Sequence, residues 1–212
     1  MEQYKRILLK EFDSKQKVIT ELINLEAILN LPKGTELYLS DIHGEFEAFD
    51  YILRTCAGNV NEKINDCFRE DLSKAEKDKL TLLIAYPQEV LSDGFLYPLK
   101  DKSWYGEIIQ NLLTLLTFVA AKYTRSKVRK ALPPQYAYVI EELLYTDRNL
   151  PDSNIYFETI QNYLIDLGEA SQFISALAKV IRQLIIDHLH IVGDIFDRGA
   201  AADKVMNEIM AY

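Results

Sequence analysis

The chain has 212 residues, 49% of them apolar, with only 8 glycines and 6 prolines, enough to bury a core in one large domain or two small ones and too apolar for overall disorder. Its 32 acidic against 24 basic side chains leave a net charge of −8, which excludes a simple electrostatic binder of nucleic acid or of a membrane surface. Two cysteines, Cys56 and Cys67, without CxxC spacing, exclude a disulfide scaffold or a thiolate zinc site and point to reduced thiols in the cytoplasm.

In chain order, the N-terminus is charged throughout and lacks the apolar core of a signal peptide. From Tyr4 to Asn30 the residues Ile7, Leu8, Val18, Ile19, Leu22, Ile23, Leu25, Ile28 and Leu29 recur at helical spacing, and Pro32 with Gly34 stops the pattern. Glu36 to Ser40 alternates as a short strand and runs into the polar turn Asp41-Ile42-His43-Gly44. After it, Phe46, Phe49, Ile52 and Leu53 mark one face of a helix.

The stretch 57–186 reads as almost entirely helical, in segments punctuated by Pro87, Pro98, Pro133-Pro134 and Gly168. Ser73, Ser103 and Asp152 or Ser153 are expected helix N-caps and Gly168 a C-cap. The most apolar window, Ile108 to Ala121, is interrupted by Gln110, Asn111, Thr114 and Thr117 and is shorter than the roughly 18 to 20 residues that cross a bilayer; it predicts a buried helix. The basic run Lys122, Arg125, Lys127, Arg129 and Lys130 is expected to be a solvated helix end, having no interleaved glycines to cradle a phosphate.

The pattern changes back at His188-Leu189-His190-Ile191-Val192, an expected buried strand, which delivers Gly193-Asp194-Ile195-Phe196-Asp197-Arg198-Gly199 at its C-terminal edge before a helix that starts near Ala201. Two strand-turn-helix units, at about 36–55 and 188–212, thus flank a helical insertion, the arrangement of an α/β domain with its site at the strand ends. A domain of this class is expected to continue past Tyr212.

Chemistry is carried by the two turns. Asp41 and His43 are two apart, so an extended strand end would point both to one side, and a carboxylate with an imidazole suits a borderline divalent ion such as Mn²⁺, Fe²⁺ or Zn²⁺. Alone, an Asp-x-His pair at a turn is more often a local cap. The second turn makes it a pair: its glycines allow a tight bend, Asp194 and Asp197 are acceptors, and Arg198 offers a planar fork to phosphate oxygens. Reading Asp194 as a helix cap and Arg198 as its ion-pair partner leaves the second glycine and the strand-end position unexplained. His188 and His190 lie upstream of the turn and are expected to hydrogen-bond locally, away from the site. Glu45 and Glu47 favour the start of the adjoining helix, and the aromatic residues of the insertion are expected in its core.

With these residues in view, SDIHGE at 40–45 and GDIFDRG at 193–199 resemble the first two motifs of calcineurin-like metallophosphoesterases. The resemblance implies a dinuclear site: Asp41 and His43 bind one metal, Asp194 bridges both, Arg198 holds the substrate phosphate, and Asp197 supports a catalytic histidine from a third Gly-Asn-His motif that this chain does not contain. Asp41 and Asp194 are 153 positions apart, where phosphoprotein phosphatases place a few tens of residues. That separation, with LEAILNLPKGTELYLSDIHGEFEAF (25–49) and HLHIVGDIFDRG (188–199), resembles class III fructose-1,6-bisphosphatase of Firmicutes and Bacteroidetes over essentially the whole chain.

This closer resemblance implies a cytoplasmic hydrolase acting on the 1-phosphate of a sugar bisphosphate in gluconeogenesis with two divalent cations, most readily Mn²⁺, these residues forming the N-terminal portion of the domain. Two cations can neutralise a phosphate monoester dianion and activate water, so the acidic balance is no objection. The alternatives are another metallophosphatase, for phosphoproteins or dinucleoside polyphosphates, and a non-catalytic helical interaction module.

Overall fold

A computed structural model describes residues 2–92, 96–97, 99–147 and 149–211 of the chain. The elements run α1 (Glu2–Glu11), α2 (Lys15–Leu29), β1 (Glu36–Ser40), α3 (Phe46–Thr55), α4 (Asn59–Phe68), α5 (Lys74–Ala85), α6 (Pro87–Ser92), α7 (Lys102–Ala120), α8 (Arg125–Ala131), α9 (Ala137–Tyr145), α10 (Pro151–Asp166), α11 (Ala170–Ile185), β2 (His188–Val192) and α12 (Ala202–Ala211). The result is a mixed α/β molecule, mostly helical, with a small parallel sheet. Among the described residues no helix is long and apolar enough to cross a membrane.

The N-terminal apolar repeat makes two helices instead of one, because Ser14 accepts a hydrogen bond from Lys17 N and caps α2. None of the apolar side chains of α2 is buried; Leu22, Ile23 and Leu29 are all exposed. Periodicity announces a helix but not its partner.

The insertion supplies the larger core. The face of α11 that carries Phe173, Ile174, Leu177, Ile181 and Leu184 packs against α7, whose Ile109, Leu112, Leu113 and Leu116 are buried in turn. Ser73 closes α5 with a capping box to Glu76, as its sequence implied. The expected cap at Ser103 is corrected to Asp101, whose carboxylate accepts from Trp104 N. The one at Asp152 or Ser153 is corrected to Leu150, because Pro151 occupies the first helical position, where its missing N–H costs nothing. Gly168 does end α10, at φ 77°.

The basic run is not simply solvated. Lys122 donates to the Ile185 carbonyl, Lys127 pairs with Asp187, Arg125 lies over the Tyr145 ring and Arg129 pairs with Glu141. Lys122 also reaches Thr35 Oγ1 at 3.3 Å, so the run straps the insertion to the start of the sheet. Burial lowers the Lys122 pKa from its ordinary value.

β1 and β2 pair in parallel with Glu36 opposite His188 and Ser40 opposite Val192. Leu39, Leu189 and Ile191 pack on the second, smaller core of Ile42, Phe49, Leu53 and Val205, which α3 and α12 cover. The other face carries Tyr38 stacked on His190 with ring centroids 4.4 Å apart, and Glu36 accepts from the Tyr38 hydroxyl at 2.7 Å. That hydrogen bond lowers the Glu36 pKa and raises that of Tyr38. β2 is therefore half exposed, not the buried strand its apolar run suggested, since both strands are covered on one face only.

Candidate metal centre

Both polar turns leave the sheet at the C-terminal ends of neighbouring strands, and backbone hydrogen bonds zip them together. Asp41 N donates to Val192 O, His43 N to Asp194 O, Gly44 N to Ile195 O and Gly199 N to His43 O, at 3.2, 3.0, 2.8 and 2.6 Å. Two segments separated by the whole insertion thus become one surface. Asp194 N points at Asp41 Oδ1 across 3.4 Å.

Asp41, His43 and Asp194 each offer a ligand atom, and these atoms lie within 4.8 Å of one another. Asp41 and Asp194 are exposed and His43 is half-buried. The convergence does not arise from an extended strand end, as the two-residue spacing suggested. β1 stops at Ser40, and Asp41 and His43 sit in left-handed backbone with φ of 54° and 50°. Such conformations cost a non-glycine residue about 1–3 kcal/mol each and persist where surrounding structure holds them; here the zipped loops do so. Arg198 shares the same backbone region at φ 66°.

Glycine is required where the loops meet. A Cβ on Gly193, itself at φ 79°, would stand 2.5 Å from Asp41 Oδ1, and one on Gly199 would enter the His43 and Gly44 backbone.

The sequence did not disclose the partner of His43. Its Nδ1 lies 2.8 Å from Asp197 Oδ1, while Asp197 Oδ2 lies 3.2 Å from Arg198 Nε. The hydrogen bond from His43 holds the Asp197 carboxyl below its ordinary pKa. The signal was present in principle: a metal-binding imidazole needs an acceptor for its other nitrogen, and Asp197 was the acidic residue in the second turn with no ligand role. The Arg198 side chain is 75% exposed, its fork open to solvent.

Other candidates fall outside. Nε2 of His190 faces Glu36 Oε2 at 3.1 Å, and His188 is beside Asp187, both upstream of the turns as expected. Both cysteines are free, and burial pushes Cys56 up to about 12 and Cys67 up to about 11, so neither offers a thiolate. Glu45 precedes α3 without a side-chain cap. Two carboxylates and one imidazole are hard and borderline donors, a set that fits a divalent first-row ion.

Comparison with known proteins adds the family. Residues 3–212 match the family model described as Firmicute fructose-1,6-bisphosphatase. The chain is 64% identical over its whole length to fructose-1,6-bisphosphatase class 3 of Streptococcus gordonii, and 65% identical to that of Streptococcus sanguinis, each match covering 33% of the relative. Against the class 3 protein of Listeria monocytogenes it is 49% identical over 99% of this chain and 32% of that one. The chain therefore spans about a third of the length of these curated relatives. No solved structure matches it.

Proposed function

The chain belongs to the Firmicute fructose-1,6-bisphosphatase family, and from that premise we propose that it contributes the first half of the active site of a cytoplasmic phosphatase. That enzyme adds water to the 1-phosphate ester of fructose 1,6-bisphosphate, releasing fructose 6-phosphate and inorganic phosphate in gluconeogenesis. The parallel pair β1–β2, with α3 and α12 on one face and both turns at the strand ends, supports reading 36–55 and 188–212 as parts of a calcineurin-like metallophosphoesterase domain, and 57–186 as its helical insertion.

The convergence of Asp41, His43 and Asp194 carries the proposal. Asp41 and His43 would hold one cation and Asp194 would be shared with a second. When bound, two divalent cations, most readily Mn²⁺, supply charge neutralisation and Lewis acidity to a phosphate monoester. Arg198 presents its guanidinium beside this cluster and takes phosphate oxygens in bidentate fashion. Asp197 would support the catalytic histidine of a third motif, as the resemblance implies.

The test uses a chain extended to the length of the relatives, with phosphate release from fructose 1,6-bisphosphate followed in Mn²⁺. Asp194→Asn is expected to abolish turnover, because a neutral amide cannot hold two cations together as a carboxylate does. Near-normal activity of that variant at saturating Mn²⁺ would overturn the shared-ligand assignment. Residues 1–212 alone supply three of the ligands and are expected to be inactive in the same assay; robust turnover with two bound metals would overturn the ligand set.

A further inference from the structure

We propose that the exposed face of α2 is a self-association surface, through which two copies of the chain pair with their α2 helices antiparallel about a two-fold axis. The proposal is independent of the metal centre.

Its first ground is exposure. No residue of α2 is buried, and its large apolar side chains stand in water, Leu22 by 60% and Leu29 by 79%. A helix of 15 residues without tertiary cover is marginal in water, so a partner on this face supplies what the rest of the chain does not. The second ground is spacing. Val18, Leu22, Leu25 and Leu29 follow one another at intervals of four, three and four, the seam of a coiled coil. Ile19 and Glu26 flank the seam on one side, Glu21 and Ile28 on the other. The six apolar side chains leave on the order of 500 Å² in water per copy, so a pair removes about 1,000 Å², the lower bound for a specific interface.

The charged flanks select the partner and its direction. In a parallel pair Glu21 of one copy would lie beside Glu26 of the other, like charges on both edges of the seam. In an antiparallel pair Leu22 meets Leu25 and Val18 meets Leu29 of the second copy. Each edge then faces its own counterpart, so Glu21 lies beside Ile28 and Glu26 beside Ile19, with no carboxylate opposite another. Every contact recurs with the copies exchanged, as an isologous interface requires. The same arrangement brings Lys15 of each copy toward the C-terminal, negative end of its partner's helix.

Sedimentation equilibrium of the chain should show a dimer with a Kd of about 1–100 μM, as suits an interface of minimal area. Leu22→Glu with Leu25→Glu places four carboxylates in the two central layers and should weaken association by more than about 100-fold, with the buried helices intact by circular dichroism. A chain that is monomeric at 1 mM would overturn the proposal, and so would a dimer that the double substitution leaves unchanged.

Disulfide trapping tests the direction. In a Cys67→Ser background, a Glu26→Cys chain should cross-link to an Ile19→Cys chain, its neighbour in the antiparallel pair. Preferential cross-linking to a Glu21→Cys chain would overturn the antiparallel arrangement. The relatives are about three times as long as this chain, so the trapping is repeated on a chain extended to their length. The 26-to-19 cross-link should form there too; its absence would overturn self-association in favour of cover by the additional polypeptide.

Discussion

The helical body α4–α11 and the two-stranded unit that bears the candidate metal centre are built to different standards. The first encloses a continuous core in which Ile64, Leu83, Leu112, Leu116 and Phe173 are fully buried, under helices with side-chain caps at Ser73 and Asp101. The second has four buried side chains, Ile42, Phe49, Leu53 and Val205, and places three of its functional residues in left-handed backbone. The two meet at α3, with Leu53 in the small core and Cys56, just past its end, in the large one, and at β1, where Leu37 packs on the large core and Leu39 on the small one. Buried core is thus concentrated away from the candidate site, which sits at the less densely packed end of the molecule.

That contrast can be broken from either side. The largest effect is expected for Phe173→Ala, which empties a fully buried aromatic site against Tyr136 and should cost about 3–5 kcal/mol, lowering the urea midpoint of the whole chain. An unchanged midpoint would show that the insertion core is not the main reservoir of stability.

Gly193→Ala should cost less, about 1–3 kcal/mol from the φ of 79° and the meeting with Asp41 Oδ1. Because that cost falls on the turn of the candidate metal centre, Mn²⁺ affinity should drop at least tenfold while the helical melting curve moves little. A parallel loss of both would mean that the two regions unfold as one.

A pH experiment probes the seam between them. Cys56 is 1% exposed and its thiol is pushed up to about 12 by burial, from an ordinary value near 9. A group whose folded pKa is raised contributes stability that is complete below its unfolded pKa and is lost as pH rises toward the folded one. The urea midpoint should therefore fall between pH 9 and 12, and Cys56→Ala should flatten that slope. A slope that survives the substitution would assign it to other groups.

The smallest effect is expected at the exposed pair Lys102–Asp166, 2.8 Å apart on the surface of the helical body. Lys102→Ala should change stability by no more than about 0.5 kcal/mol, as measured by urea titration.

Most of the helical body was legible in the sequence, because apolar spacing and capping residues report local preference: Ser73 and Gly168 stand where their chemistry places them. Ser103 and Asp152 misled because Asp101 and Pro151 were as good a start signal within two residues. The candidate metal ligands were legible as residue types, and Asp41, His43 and Asp194 do converge. How they converge was not. Spacing along an extended strand cannot show a left-handed turn at Asp41 and His43, and no local pattern connects Asp197 to a histidine 154 positions away. The exposed apolar face of α2 has the same cause, since periodicity records a face and says nothing about what covers it.

One close approach bears on how the molecule comes to exist. Cys56 Sγ lies 3.6 Å from the Arg182 carbonyl, so the chain enters and leaves the helical insertion at nearly the same point. Closing a loop of this length in a disordered chain would cost about 4 kcal/mol in entropy before any strand contact formed. Once the insertion has folded on its largely local helical contacts, its two ends are already side by side, and β1 and β2 have only a few residues to search. The order of assembly is then set by geometry: helices first, the parallel pair second, and the two polar turns last. In refolding kinetics, recovery of Mn²⁺ binding should lag behind recovery of helical circular dichroism.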